Sequence, residues 1–513
     1  MKSPSSIQIR RASQVLFLLA FLGLFLTARD PLQKAIPSDL LLRIDPFAGL
    51  MAIIADRAII TAFWPALVML ALTLFLGRSF CGWVCPLGTT LDVWKHLIPH
   101  GKMRGRHGWK YILLISTALL AMISLQGVWL LDPLAIFNRT LAIAVYPLTV
   151  WGLGGLLGAG TSWGLTEGIS SAIWNGLQGW LLPLSPLQTA MLTTTTLIFA
   201  GILALELFGK RFWCRVLCPL GAFLGLIARF TPFGRKVEDS CTSCNLCATE
   251  CRMNAIEDDF TRTRRAECVL CLECSKLCEP EGTTYAWGLQ KGGQDKLDLG
   301  RRQTLGTIGA AAVFAGVWRT SLVNRTEDGY LIRPPGAVEE DRFLDLCLRC
   351  QECVKACSST GRCLQSSGWE SGWDRVWTPR ARMREGYCEY SCILCGQVCP
   401  SGAIQPLTEA AKKVKIIGLA YINRSRCIPW ERGEDCIVCE EHCPTPRKAI
   451  VFGLGDVELP AETKTGVKLP YVDRALCIGC GICETKCPVK GESAIRVTRE
   501  GEQREVRGGL SLV

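Results

Sequence analysis

The sequence predicts a mixed architecture. A four-span α-helical membrane domain, five-span if one later segment also stays in the bilayer, precedes small α+β domains that hold clusters through cysteine. Three observations predict it. Four long apolar runs occupy residues 14–28, 58–77, 111–131 and 190–208. The 513-residue chain carries 29 cysteines, most of them in regular short spacings. The excess of 57 Lys+Arg over 46 Asp+Glu is unevenly placed in the first half. Disulfide scaffolds are short, so this long, half-apolar chain is not one. Four histidines are too few for a multi-haem protein with bis-His ligation.

Each apolar run approaches the ~20 residues that a helix needs to cross a ~30 Å hydrocarbon core. The first is a poor signal peptide, because Ala28-Arg29-Asp30 does not resemble a small-residue cleavage site. Lys/Arg bias sets the orientation. Lys2, Arg10 and Arg11 precede the first run, Lys95, Lys102, Arg104, Arg106 and Lys110 lie between the second and third, and Lys210, Arg211 and Arg215 follow the fourth. Residues 131–189 contain one basic residue, Arg139. The basic segments therefore belong in the cytoplasm, and 132–189 is expected outside and partly interfacial. The positive charge then orients spans and needs no nucleic acid to explain it.

The membrane half, residues 1–236, repeats itself. Asp45-Pro46 follows the first run and Asp132-Pro133 the third. The second run leads to Cys81-x3-Cys85-Pro-Leu-Gly, and the fourth to Cys214-x3-Cys218-Pro-Leu-Gly. Parallel repeats of this kind imply a pseudo-two-fold axis along the membrane normal. Cys81, Cys85, Cys214 and Cys218 could then meet as four thiolates around iron, zinc or an iron–sulfur group. Asp45, Asp132 and Glu206 are acidic residues at membrane depth, which makes them functional candidates. They are candidates for the proton transfers of a quinol, with turn initiation the plainer role of Asp-Pro.

Residues 237–282 form a two-cluster unit. Cys241/Cys244/Cys247/Cys251 and Cys268/Cys271/Cys274/Cys278 both read Cys-x2-Cys-x2-Cys-x3-Cys. In this bacterial ferredoxin run the fourth cysteine ligates the other cluster. One [4Fe–4S] cluster is expected on Cys241, Cys244, Cys247 and Cys278, and another on Cys268, Cys271, Cys274 and Cys251. Residues 283–320 are a linker with Arg301-Arg302 before small apolar residues, similar to a twin-arginine export signal although Thr304 stands where Phe is usual.

Residues 321–513 carry four further runs: Cys347/Cys350/Cys353/Cys357, Cys388/Cys392/Cys395/Cys399, Cys427/Cys436/Cys439/Cys443 and Cys477/Cys480/Cys483/Cys487. The last three are followed by Ala403-Ile404, Ala449-Ile450 and Ala494-Ile495, expected as short strands covering a cluster. Twenty-four cysteines thus suit six [4Fe–4S] clusters on α+β ferredoxin-like polycluster domains. Cys363 is left over and is expected as a buried free thiol.

The membrane motifs and the two-cluster unit after them resemble NapH-type membrane ferredoxins, and the membrane motifs are similar to those of the NosR group and of a cupric-reductase assembly factor. Arg333-Pro334-Pro335-Gly336-Ala337, Gly386-Tyr387-Cys388-Glu389-Tyr390-Ser391-Cys392, Leu394 to Pro400, and Arg426-Cys427-Ile428-Pro429-Trp430 resemble NapG/MauM-type ferredoxins. Ser358 departs from the Pro expected after Cys357. Together the resemblances read as a NapH–NapG fusion. They imply an inner-membrane, multi-pass quinol dehydrogenase-like protein. It would pass electrons from the quinone pool to a periplasmic redox enzyme or cytochrome of nitrate, nitrous-oxide or amine systems, within a membrane complex of respiratory subunits. Residues 237–300 would be cytoplasmic and 321–513 periplasmic. The resemblance also implies that the first of the four later runs pairs with the fourth, and the second with the third. The alternative is a factor that supplies electrons for maturation or repair of a metalloenzyme.

Overall fold

A computed structural model describes residues 4–32, 36–95, 97–99, 101, 107–123, 127–162, 167–177, 181, 190–257, 260–278, 282–288, 300, 304–310, 313, 328–452 and 467–505. The Arg301-Arg302 pair lies outside the described residues, as does most of the linker.

The apolar runs fold as helices because they lack charge and carry few interior breakers. Two helices are long and apolar enough to cross a membrane, Ser6–Thr27 and Pro133–Thr161. The runs at 58–77, 111–131 and 190–208 fold as shorter apolar helices, Thr61–Leu76, Gly108–Met122 and Leu192–Leu207. Gly77, at φ 61°, stops the first of these. The segment 132–189, expected outside, is helical over most of its described residues. Pro133–Thr161 is one continuous helix, since Gly and Thr are compatible with helices in apolar surroundings. Its turn Leu141–Val145 is π-helical.

The two repeats begin their matching helices in the same way. Pro46 and Pro133 each stand at the first position of a helix, Pro46–Asp56 and Pro133–Thr140. Pro86 and Pro219 likewise begin Pro86–Trp94 and Pro219–Ala228. Proline is tolerated there because its missing N–H has no partner to lose.

The two cysteine units occupy opposite ends of this helical domain. The first folds around antiparallel strands β1 (Phe233–Val237) and β2 (Thr283–Trp287), paired from Phe233↔Trp287 to Val237↔Thr283. Arg10, near the start of Pro4–Thr27, meets Glu273 of that unit at 3.4 Å. Just beyond the end of the same helix, the Asp30 N–H donates to Ser359 Oγ of the second unit at 3.0 Å. The helix rises about 26 Å between Arg10 and Thr27 at 1.5 Å per residue. The other helices keep this polarity. Asp56 binds Arg342 of the second unit at 2.6 and 3.0 Å, whereas Arg78, after Trp64–Leu76, binds Glu267 of the first at 3.1 Å. Lys110 pairs with Glu267, and Thr195, at the start of Leu192–Ala204, accepts from Trp377 Nε1 at 3.0 Å.

The second unit is built from three two-stranded pairings: β3 (Leu364–Ser366) with β4 (Pro379–Ala381), β5 (Leu419–Ile422) with β8 (Ile495–Thr498), and β6 (Ile450–Phe452) with β7 (Pro470–Val472). Ile450 and Ile495 open strands, as the apolar pairs suggest, while Ile404 makes a single bridge to Ala337.

Candidate iron–sulfur and membrane cysteine sites

The cysteine runs share one backbone signature. In the four unstretched Cys-x2-Cys-x2-Cys runs, the residues flanking the second cysteine adopt positive φ. These are Ser243 and Asn245, Leu270 and Leu272, Arg349 and Gln351, and Gly479 and Gly481, at φ between 49° and 77°. Positive φ is rare outside glycine. Its recurrence at one motif position turns successive N–H groups toward one centre, the nest geometry that receives anionic iron–sulfur groups. The cages are therefore shaped for such groups beyond the mere count of thiols.

Cavities collect the cysteines. One is lined by Cys251, Cys268, Cys271 and Cys274, with Cys247 at its edge. Tyr285 Oη lies 3.1 Å from Cys274 Sγ, and Arg235 Nη2 donates to Cys247 Sγ at 3.4 Å. Cys241 and Cys244 lie within electrostatic reach of Cys247. In the second unit, one cavity is lined by Cys357, Cys388, Cys392 and Cys395, another by Cys427, Cys436, Cys439 and Cys487, and a third by Cys443, Cys477, Cys480 and Cys483. Cys347, Cys350 and Cys353 face Cys399. The implied pairing of first with fourth run and second with third is thus corrected. The first exchanges its last cysteine with the second, and the third with the fourth. Short connections bring consecutive runs together before distant ones, as loop-closure entropy favours.

Cys363 is 2% exposed, as expected for a buried thiol, but it is not remote from the cages. Its Sγ lies 4.0 Å from Cys357 Sγ, and it lines the cavity of Cys357, Cys388, Cys392 and Cys395. Among the described residues no group of three or more His, Cys, Asp or Glu closes tightly enough for a single metal ion.

The repeats bring Cys81, Cys85, Cys214 and Cys218 within charge reach of one another, all at most 8% exposed. Cys85 and Cys218 stand at helix N-termini, and Cys218 Sγ accepts from Gly221 N–H at 3.3 Å. Helix N-termini stabilise thiolate charge. Two arginines that sequence reasoning missed cross between the repeats. Arg211 Nη1 donates to Cys81 O at 2.8 Å and its Nη2 to Gly88 O at 3.1 Å, and it pairs with Asp92 at 2.7 Å. Arg78 reaches the opposite way, against Gly221, where a Cβ would come within 2.6 Å of its Nη2. Both stand three residues before the first cysteine of their repeat, in Arg-x2-Cys-x3-Cys-Pro-Leu-Gly, a shared position that would have revealed them.

This quartet abuts the first cysteine unit. Trp83 Nε1 donates to Leu270 O at 3.0 Å, and a side chain at Gly82 would collide with Val269 O. Both contacts fall between Cys268 and Cys271. Glu267, one residue earlier, is 3% exposed and gathers Arg78, Lys110, His107 and Tyr111. Burial alone would raise this carboxyl, but Lys110, Arg78 and His107 hold it below the usual range.

Asp45 and Asp132 are brought close together by the pseudo-symmetry, each 1% exposed. Each also caps its helix: Asp45 Oδ1 accepts from Phe47 N–H at 2.8 Å, and Asp132 Oδ2 from Ala135 N–H at 2.7 Å. Glu206 is not part of this pair. Its Oε2 accepts from Arg211 N–H at 2.9 Å, next to the cysteine quartet. At the other end, Asn138 Nδ2 donates to Glu352 Oε2 at 2.8 Å and to Cys350 O at 3.0 Å. Burial raises the Glu352 carboxyl to about 7.

A family described as a 4Fe-4S binding domain matches residues 59–104, 192–238 and 394–416, and another of the same description matches 469–495. The first two matches cover the Cys-x3-Cys-Pro half of each membrane repeat. The ferredoxin-type protein NapG of Escherichia coli is 32% identical over 201 residues, 38% of this chain and 80% of NapG. The methylamine utilization ferredoxin-type protein MauM of Methylophilus methylotrophus is 31% identical over 214 residues, 41% of this chain and 90% of MauM. The putative electron transport protein YccM of Escherichia coli is 26% identical over 309 residues, 54% of this chain and 73% of YccM. No solved structure matches. With 4Fe-4S domains and ferredoxin-type relatives, this chain has an iron–sulfur electron-transfer role, and through its C-terminal region it belongs to the NapG/MauM family of ferredoxin-type proteins.

Proposed function

We propose that this protein is a membrane-bound quinol dehydrogenase-like electron carrier that links the quinone pool to a periplasmic redox enzyme. The observation that carries the reading is the attachment of two cysteine units to opposite ends of the helical domain. Arg10, Arg78 and Lys110 bind Glu273 or Glu267 of the first unit, whereas Asp30, Asp56 and Thr195 bind Ser359, Arg342 and Trp377 of the second. On this reading Pro4–Thr27, Trp64–Leu76, Gly108–Met122 and Leu192–Ala204 cross the inner membrane, with 237–300 cytoplasmic and 321–513 periplasmic. Lys/Arg placement supports that direction.

Six [4Fe–4S] groups fit the cages described above, and the quartet Cys81, Cys85, Cys214 and Cys218 would hold an additional iron–sulfur site. Bound there, such groups supply one-electron storage at potentials set by burial and hydrogen bonding. The chain's own part is placement and charge control. Arg78 and Arg211 bring positive charge to the quartet. Arg235 and Tyr285 direct hydrogen bonds at Cys247 and Cys274. Gly82 allows the quartet to approach the Cys268 loop without an intervening side chain.

Iron and sulfide analysis with EPR on the anaerobically purified chain tests this. Six [4Fe–4S] equivalents are expected, plus further iron that disappears in a Cys81→Ser/Cys214→Ser variant. A count of four or fewer, or no change in that variant, contradicts it. The terminal acceptor is proposed only as a class, the periplasmic enzymes of nitrate, nitrous-oxide or amine metabolism.

A further inference from the structure

Cys363 belongs to none of the cysteine runs, yet it lines the cavity of Cys357, Cys388, Cys392 and Cys395. Its Sγ stands 4.0 Å from Cys357 Sγ, and Cys388 is also close to it. The backbone holds it there. The N–H groups of Thr360 and Arg362 both donate to Cys357 O, at 3.1 and 3.0 Å, so the chain turns back over Cys357. Arg362 takes positive φ, 57°, within that turn. Gly361 O accepts from the N–H of Tyr387, the residue before Cys388, at 2.8 Å, and a side chain at Gly361 would collide with Tyr387 O. Cys363 O accepts from Arg382 N–H at 2.8 Å. A thiol on so constrained a backbone has a fixed place against the cage.

The contact has one polarity when the cage is loaded. A ligating cysteine is a thiolate and carries no proton, whereas Cys363 lies outside the ligand set and keeps its S–H. Cys363 is then the donor and Cys357 the acceptor. Lys412, 3% exposed, adds positive charge near Cys388: its Nζ donates to Glu389 O and, at 2.8 Å, to Tyr390 O. Reducing a [4Fe–4S] group adds one negative charge, shared by its ligand sulfurs. A donor aimed at such a sulfur stabilises the reduced state more than the oxidised one, which raises the potential.

We propose that Cys363 is a built-in hydrogen-bond donor to the Cys357 ligand, a positioning residue that raises the potential of the group held by Cys357, Cys388, Cys392 and Cys395. That group becomes the electron acceptor of the pair it forms with the group of Cys347, Cys350, Cys353 and Cys399. In each transfer one electron leaves the second group, which is oxidised, and enters the first, which is reduced. No bond is made or broken, and the Cys363 proton stays on its sulfur. The proposal rests on the iron–sulfur role of the chain and is independent of what supplies the electrons.

The full chain, purified anaerobically in detergent, is titrated with dithionite against redox mediators and followed by EPR. The signal concerned is the one lost in Cys357→Ser. In Cys363→Ala its midpoint should fall by about 59 mV, a tenfold change in the one-electron equilibrium constant, with iron content unchanged. Cys363→Ser keeps a proton donor and should hold that constant within about threefold of the unaltered chain. An unchanged midpoint in Cys363→Ala, or an equal fall in both variants, overturns the proposal, because the thiol then only fills space. A group that fails to assemble in either variant also overturns it, because Cys363 is then a ligand or a folding residue. Clusters that dithionite reduces and quinol does not would sink the proposed quinol reading and leave this inference standing.

Discussion

Glu267 shows how single side chains hold the first cysteine unit in place. It is buried among Arg78, Lys110 and His107, all from the helical domain. Removing one member of such a network leaves the others charged and desolvated, which costs about 3–5 kcal/mol. Glu267→Leu should therefore loosen the unit 237–282, read as faster limited proteolysis and a lower melting temperature in detergent. Arg474→Ala, at an exposed pair with Glu500, should change stability by less than about 0.5 kcal/mol. The cage assignments are also tested residue by residue. Cys399→Ser should remove the EPR signal of the group held with Cys347, Cys350 and Cys353, and Cys357→Ser that of the group held with Cys388, Cys392 and Cys395. A loss that instead couples Cys357 to the Cys477 run would restore the pairing implied by resemblance.

At the scale of elements, the cage loops depend on positive φ. Gly481, at φ 77°, also sits where a Cβ would collide with Met383. Gly481→Ala should then destabilise the Cys477 cage by about 1–3 kcal/mol, seen as earlier cluster loss on heating. Leu272, at φ 62°, adopts the same backbone region, and Leu272→Gly relieves its strain at the cost of one half-buried side chain. The cysteine runs were legible in the sequence because cluster ligation fixes their spacing. The Asp-Pro and Cys-Pro repeats were legible because both copies keep the same order. Cage partners in the second unit were not, since spacing within a run says nothing about which run supplies the fourth thiol. The crossing arginines were marked by their shared Arg-x2-Cys position, but which groups they reach was not. Helix lengths were misjudged at 111–131, where the described helix Gly108–Met122 ends before the run does, and at Pro133–Thr161, where Gly and Thr did not interrupt the helix.

At the scale of the whole molecule, the fold places a cysteine unit at each end of one helical domain. The proposed membrane sidedness rests on that arrangement together with the basic loops. A reporter fused after Gln290 should be active only in the cytoplasm, and one fused after Val513 only in the periplasm. Cytoplasmic activity at both positions would place both units on one side and contradict the crossing. The central claim, that quinol is the electron source, is tested most directly by adding a quinol analogue to the oxidised, cluster-loaded chain and recording EPR. Reduced [4Fe–4S] signals from the second unit, suppressed in Cys357→Ser, are the expected result. Clusters that dithionite reduces but quinol leaves oxidised would contradict it.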